Sequence, residues 1–230
     1  RKLSDEYVPE VKIANELERN SLLTMYNMRG YGLTGNESFL STGKDFLTEV
    51  KGSIRDAKDL SDRSTSLKAL QAAIDETETA VKNYEALVDQ TKKVNEVINT
   101  ALVNMDDGAN QYMKGCYVYL QNQTDAANRE AASGSVDRER LRKIELINNI
   151  IDAGNSIRID NFKSQAQRNP EVFRQALKSF DEVDTYLNEI RALTRLDIDN
   201  QQLNVVKQGA DAYHQAMDNY LTAWLHREDL

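Results

Sequence analysis

The stretch RGYGLTG, residues 29–35, places three of the chain's ten glycines within seven positions. On both sides of it apolar residues recur at three- and four-residue steps, the helical period, and nowhere alternate long enough to read as a strand. A glycine in a helix interior costs about 1 kcal/mol relative to alanine. A cluster of them therefore marks a place where a helix must end, kink or shift, and which of these happens decides the fold.

Working outward from the cluster, the chain divides into about six helices. The first runs from about Pro9, a natural first-turn residue, to Gly30, and the second from just after Asn36 to about Leu60. SDRST (61–65) then caps a long third helix at Ser64 or Thr65. Its stripe passes through Leu67, Ile74, Val81, Val88, Ile98, Met105, Tyr112 and Tyr119, and about 65 residues at the helical rise span close to 100 Å. SGSVDRE (133–139) is a turn and a fresh N-terminus. The fourth helix ends at RNPE (168–171), where Asn169 caps and Pro170 takes the first helical position. A fifth helix ends near Arg195, and a sixth begins at Asp199.

The two halves resemble each other. At an offset of 134, Glu37, Phe39, Lys44 and Phe46 match Glu171, Phe173, Lys178 and Phe180; at 136, Leu67, Asp75, Ala80, Asn83 and Tyr84 match Leu203, Asp211, Ala216, Asn219 and Tyr220. RGYGLTG and RNPE are then equivalent joints. The reading that follows is all-α: two stacked up-down four-helix bundles sharing long helices, with helices one and two climbing end to end and helices four and five doing the same. One domain spans 1–230, with one module at about 1–31 and 100–168 and the other at about 36–100 and 170–230. A sixth helix of about 30 residues covers roughly half of a full return, so a segment beyond Leu230 is expected to complete the first module.

Composition narrows the function classes. The 230 residues are 29% charged, 40% hydrophobic and only 7% aromatic, a profile of long solvent-facing helices. Net charge is −8 and no run of lysine and arginine could track phosphates, which argues against nucleic acid and acidic membrane surfaces as partners. Cys116 is the single cysteine, so neither a disulfide within the chain nor a zinc or redox-pair spacing exists. There is no phosphate-binding glycine loop, no HExxH and no GxSxG, and His214 and His226 are the only histidines. The expectation is a non-enzyme without cofactor or metal. No apolar run reaches the roughly 20 residues of a membrane span, and the opening RKLSDEY lacks an initiator methionine, which reads as a piece of a longer protein.

MRGYGLTGNESFL (28–40) and SIRIDNF (156–162) carry a family resemblance. The first resembles the joint of helical extracytoplasmic sensor domains of bacteria, including CHASE-type bundles. Together the two are similar to the helical bimodular ligand-binding domain of methyl-accepting chemotaxis receptors, over essentially the whole chain. The resemblance implies a periplasmic domain held between two transmembrane helices, working as a homodimer whose ligand biases a small helix displacement. The paired arginines that some dicarboxylate-binding members carry on the first helix are absent, since Arg19 is followed by Asn20 and Leu22.

A ligand position follows from the fourth helix, whose inward stripe reads Ile144, Ile147, Ile151, Gly154 and Arg158. A buried guanidinium without a partner is costly, so Arg158 must meet a carboxylate of the protein or of a ligand, or reach outward to water. Gly154 leaves room beside it and Asn155 offers a hydrogen bond. Counting down from the joints puts Arg19, Asn20 and Tyr112 at about the same level, with Tyr119 and Tyr26 close by. These seven residues, Arg158, Asn155, Arg19, Asn20, Tyr112, Tyr119 and Tyr26, form the candidate site for a small organic acid; ordinary aromatic packing is the competing explanation for the tyrosines. Two other readings stay open: the ectodomain of a sensor histidine kinase reading a small molecule or a periplasmic binding protein, and a structural helical rod without a pocket.

Overall fold

The structure, a computed structural model, describes residues 3–64 and 68–230. Thr65 and Leu67, where the third helix is expected to be capped and to begin its stripe, lie outside the described residues. Among the described residues there is no strand. After a π-helical turn at Leu3–Tyr7 come α1 (Val8–Thr34), α2 (Glu37–Arg63), α3 (Lys68–Ala132), α4 (Arg138–Gln167), α5 (Pro170–Lys178), α6 (Phe180–Ala192) and α7 (Asp197–Asp229). Only Ser179 separates α5 from α6, so the described residues are all-α with six rods, as the periodicity predicts. The unbroken 65-residue α3 follows from a stripe whose phase survives Gly108 and Gly115.

The glycine cluster is not an end-to-end joint. Gly30 and Gly32 lie inside α1, which ends only at Gly35, with φ +67° and its N–H donating to the Tyr31 carbonyl at 2.7 Å. That left-handed conformation stops a helix at little cost only in glycine. Asn36 then caps α2, its side chain accepting from the Ser38 N–H at 3.0 Å. From there α2 folds back along α1. A Cβ at Gly30 would come within 2.8 Å of the Phe39 ring, and one at Gly43 within 2.9 Å of Met28. At the far end of the same pair Ser64 Oγ donates to Glu6 Oε2 at 2.7 Å. The pairings 30 with 39, 28 with 43 and 6 with 64 describe one antiparallel hairpin, and the expected climb of helices one and two is thereby overturned.

RNPE is a second reversal of the same build. Arg168 takes the left-handed conformation (φ 51°), and Asn169 accepts from the Glu171 N–H at 3.0 Å. The arm α5–α6 packs back on α4, and Arg142 near the start of α4 pairs with Glu189 near the end of α6 at 2.9 Å. The two joints do correspond, each a left-handed residue followed by a capping asparagine, but both turn the chain around.

The chain divides into two compact units, one of the described residues of Arg1–Asn95 with Arg227–Leu230, the other Glu96–His226. This partition differs from the expected modules, because the reversal at Gly35 keeps residues 3–31 beside residues 36–63 in one unit. In the first unit α1, α2 and the first part of α3 form a three-helix core. Met28, Tyr31, Leu40 and Val88 make one buried cluster, and Val50, Ile54, Ala57 and Ile74 another, with Ile13, Leu17 and Val81 against it.

The second unit is an up-down four-helix bundle of α3 from Glu96 onward, α4, α5–α6 and α7. Gly108 and Gly209 sit where any Cβ would strike the backbone of Tyr213 and of Tyr112 respectively, so α3 and α7 approach more closely than side chains would allow. Phe173 stacks on Tyr220 at 5.3 Å between ring centroids and meets Trp224 edge-on. Trp224 is buried and also lies against Tyr220, with ring centroids 6.0 Å apart.

Candidate functional site

The seven sequence-derived site residues are divided between the two units. Arg19, Asn20 and Tyr26 belong to the first unit, whereas Tyr112, Tyr119, Asn155 and Arg158 belong to the second. Arg19 is exposed, Asn20 is half-buried with its carbonyl accepting from Thr24 Oγ1 at 2.8 Å, and Tyr26 is 69% exposed. On α1 the buried face instead carries Thr24, Asn27, Met28 and Tyr31. Tyr26 falls one position away from that face and points into solvent.

In the second unit the space beside Gly154 is occupied. An added Cβ there would collide with the Tyr112 ring, so the glycine makes room for a tyrosine of α3 rather than for a ligand. Tyr112 is 1% exposed and its hydroxyl donates to the Ile150 carbonyl at 2.5 Å. Burial drives its phenol well above the ordinary tyrosine range. Tyr119 is fully buried, its hydroxyl sharing a hydrogen bond of 3.3 Å with Thr194 Oγ1, and burial pushes its pKa up to about 12. Burial likewise pushes the Cys116 thiol up to about 12, leaving it inert as a nucleophile. All three side chains are buried in the core of the unit.

Asn155 and Arg158 remain half-buried on α4. Among the described residues no carboxylate lies within ion-pair distance of Arg158. Its charge is felt by Tyr213, whose phenol is raised by burial and lowered in part by a hydrogen bond from Asn161 and by Arg158. Arg158 is thus only partly buried, and Ile159 and Phe162 on the same helix are exposed.

The charged cluster that the second unit does pair lies near its α3–α4 turn. Arg140 donates to Glu130 at 2.6 Å and to Gln123 at 2.7 Å, and Gln123 in turn donates to buried Asp199 at 3.0 Å. The amide bridges a cation and an anion through its two ends, which fixes α3, α4 and α7 together without chemistry of its own.

Two openings in the first unit were not apparent from the sequence. An apolar groove of about 190 Å³ lies where Ile13 and Leu17 of α1 meet Ile54 of α2 and Ile74 of α3, with Ala14, Ala57 and Ala73 leaving it unfilled. A mixed groove of about 270 Å³ lies between α2 and α3, with lysines on one wall and carboxylates on the other. The signal for the second was present in the spacing: Lys44 and Lys51 are two helical turns apart, and Glu85 and Asp89 one turn apart. Among the described residues no group of three or more histidine, cysteine, aspartate or glutamate side chains could hold a metal ion, and no helix is long and apolar enough to cross a membrane. No protein-family model, curated protein or solved structure matches this chain.

Proposed function

We propose that the chain is the extracytoplasmic sensor domain of a bacterial chemotaxis receptor, which binds a small carboxylate-bearing metabolite and passes a helix displacement to the rest of the receptor. On this reading the domain is periplasmic, works as a homodimer and is anchored by flanking transmembrane helices. The observation that carries it is Arg158: a half-buried guanidinium on α4, next to Asn155, with no carboxylate of the described chain to pair with. An arginine fork so placed binds a carboxylate through two parallel hydrogen bonds. Because Tyr112 occupies the interior, the ligand would lie at the margin of α4, over Asn155 and Arg158, rather than between the bundle's buried faces. The resemblance of MRGYGLTGNESFL and SIRIDNF to helical sensor domains supports the same class.

The filled interior around Tyr112 favours a second reading, a structural helical rod with no ligand. A third, the ectodomain of a sensor histidine kinase, shares the ligand logic and differs in output. Thermal unfolding against a panel of mono-, di- and tricarboxylates separates the first from the second, since a ligand held only by the folded state raises the melting temperature. A sensor shows a stabilising acid whose effect disappears in Arg158→Ala. Absence of any shift across the panel, or a shift that Arg158→Ala leaves intact, contradicts the proposal.

A further inference from the structure

The mixed groove of the first unit has a polarity that the carboxylate reading of the second unit does not use. Its floor is Leu47 of α2 and Val88 of α3, both buried. One end is closed by an ion pair between Lys51 and Glu85, and Thr48 lies along the wall. The other end is bounded by Lys44 and Asp89. Seven residues separate Lys44 from Lys51 along α2, about 10 Å, and four separate Asp89 from Glu85 along α3, about 6 Å. The two helices are antiparallel here, with Ser61 bonded to Gln71 as Lys51 is to Glu85, so Lys44 and Asp89 lie on the same side of that pair.

Although they line one groove, neither the Lys44 nor the Asp89 side chain has an ion pair or hydrogen bond among the described residues. Two opposite charges that flank an apolar floor without meeting each other are complementary to a molecule carrying both charges close together. The volume of about 270 Å³ falls just below the range of roughly 300–1,000 Å³ typical of drug-sized ligands. A small zwitterion with an apolar branch fits these terms. A dicarboxylate would bring a second anion toward Glu85 and Asp89, and a diamine a second cation toward the two lysines.

We propose that this groove binds a neutral α-amino acid, its carboxylate on Lys44, its ammonium on Asp89 and its side chain over Leu47 and Val88. The Lys51–Glu85 pair limits the length of that side chain and supplies no net charge to a longer one. The site is independent of Arg158.

Isothermal titration of the intact chain with L-valine, L-alanine and L-serine tests it, with isovalerate and isobutylamine as the valine analogues that lack the ammonium or the carboxylate. Valine is expected to bind, and each analogue to bind about tenfold or more weakly, the loss expected for one charge-assisted contact. Lys44→Met and Asp89→Asn should each weaken valine about tenfold or more by the same reasoning. Both side chains are exposed, so helical content should be unchanged, and the exchanged pair Lys44→Asp with Asp89→Lys should recover part of the affinity. Arg158→Ala should leave valine binding intact, which keeps a failure here separate from a failure of the carboxylate reading. The proposal is overturned if none of the three amino acids binds at millimolar concentration. It is equally overturned if valine binding survives both single substitutions, or if Arg158→Ala abolishes it.

Discussion

Tyr112 and Gly154 pack so that the glycine's missing side chain is the tyrosine's place. Gly154→Ala is therefore expected to destabilise the second unit by about 1–3 kcal/mol, the usual range for overpacking, read from chemical denaturation. Glycines elsewhere respond in opposite directions. Gly35 has open space around it but a φ of +67°, so Gly35→Ala should cost about 1–2 kcal/mol through conformation alone. Gly52 lies inside α2 at a negative φ, with nothing but the tip of Arg55 nearby, so Gly52→Ala should stabilise by about 0.5–1 kcal/mol. Equal responses at positions 35 and 52 would contradict the assigned conformations. Helical phase correctly turned Tyr112 and Tyr119 inward, yet phase identifies a face and not what meets it. Both meet neighbouring helices, and their face of α3 is packed core.

At the scale of elements, the caps were legible and the path between them was not. Asn36 and Asn169 cap the helices that follow them, and Pro170 occupies its expected first turn, because capping depends on a few adjacent residues. Whether a helix after a left-handed residue continues ahead or turns back depends on which faces bury each other. The deciding contacts are distant in sequence: Phe39 over Gly30, and Met28 over Gly43. A large side chain opposite a glycine at a constant sum of residue numbers is the signature of a hairpin, and it is visible only once pairs, rather than single helices, are compared. The α3–α4–α7 bridge offers a separate test. Gln123 is 1% exposed and joins Arg140 to Asp199, so Gln123→Leu leaves buried Asp199 without that donor. A loss of about 1–3 kcal/mol is expected for an unsatisfied buried group, and unchanged stability would show that the bridge is dispensable.

For the whole molecule, fold class was legible because composition and a 3.6-residue period act everywhere along the chain. The unpaired Arg158 and the apolar groove were not, and the mixed groove left only the spacing of its charges, since each depends on how helices distant in sequence meet. Burial of many phenols has a consequence that belongs to this scale. Tyr84, Tyr112, Tyr119 and Tyr213 all have pKa values raised above 10.0, and Cys116 is raised from 9.0, chiefly by burial. Groups whose folded pKa lies above the unfolded value contribute stability that is complete below the unfolded pKa and is lost as pH rises toward the folded one. Stability should therefore be level with respect to these groups at neutral pH and fall from pH near 9 upward. Phenolate absorbance of the buried tyrosines should rise together with the loss of helical circular dichroism. Phenolate formation complete before helix is lost would contradict the buried assignments.

The central structural claim is that the chain reverses at Gly35. Spin labels at Lys12→Cys and Lys58→Cys, both exposed positions on α1 and α2, test it directly in a Cys116→Ala background. Packed antiparallel helices have axes about 8–10 Å apart, so the hairpin predicts a short, narrow inter-label distance limited mainly by the label arms. An end-to-end ascent through the same 46 intervening steps would place the labels about 70 Å apart, and a distance in that range would contradict the account.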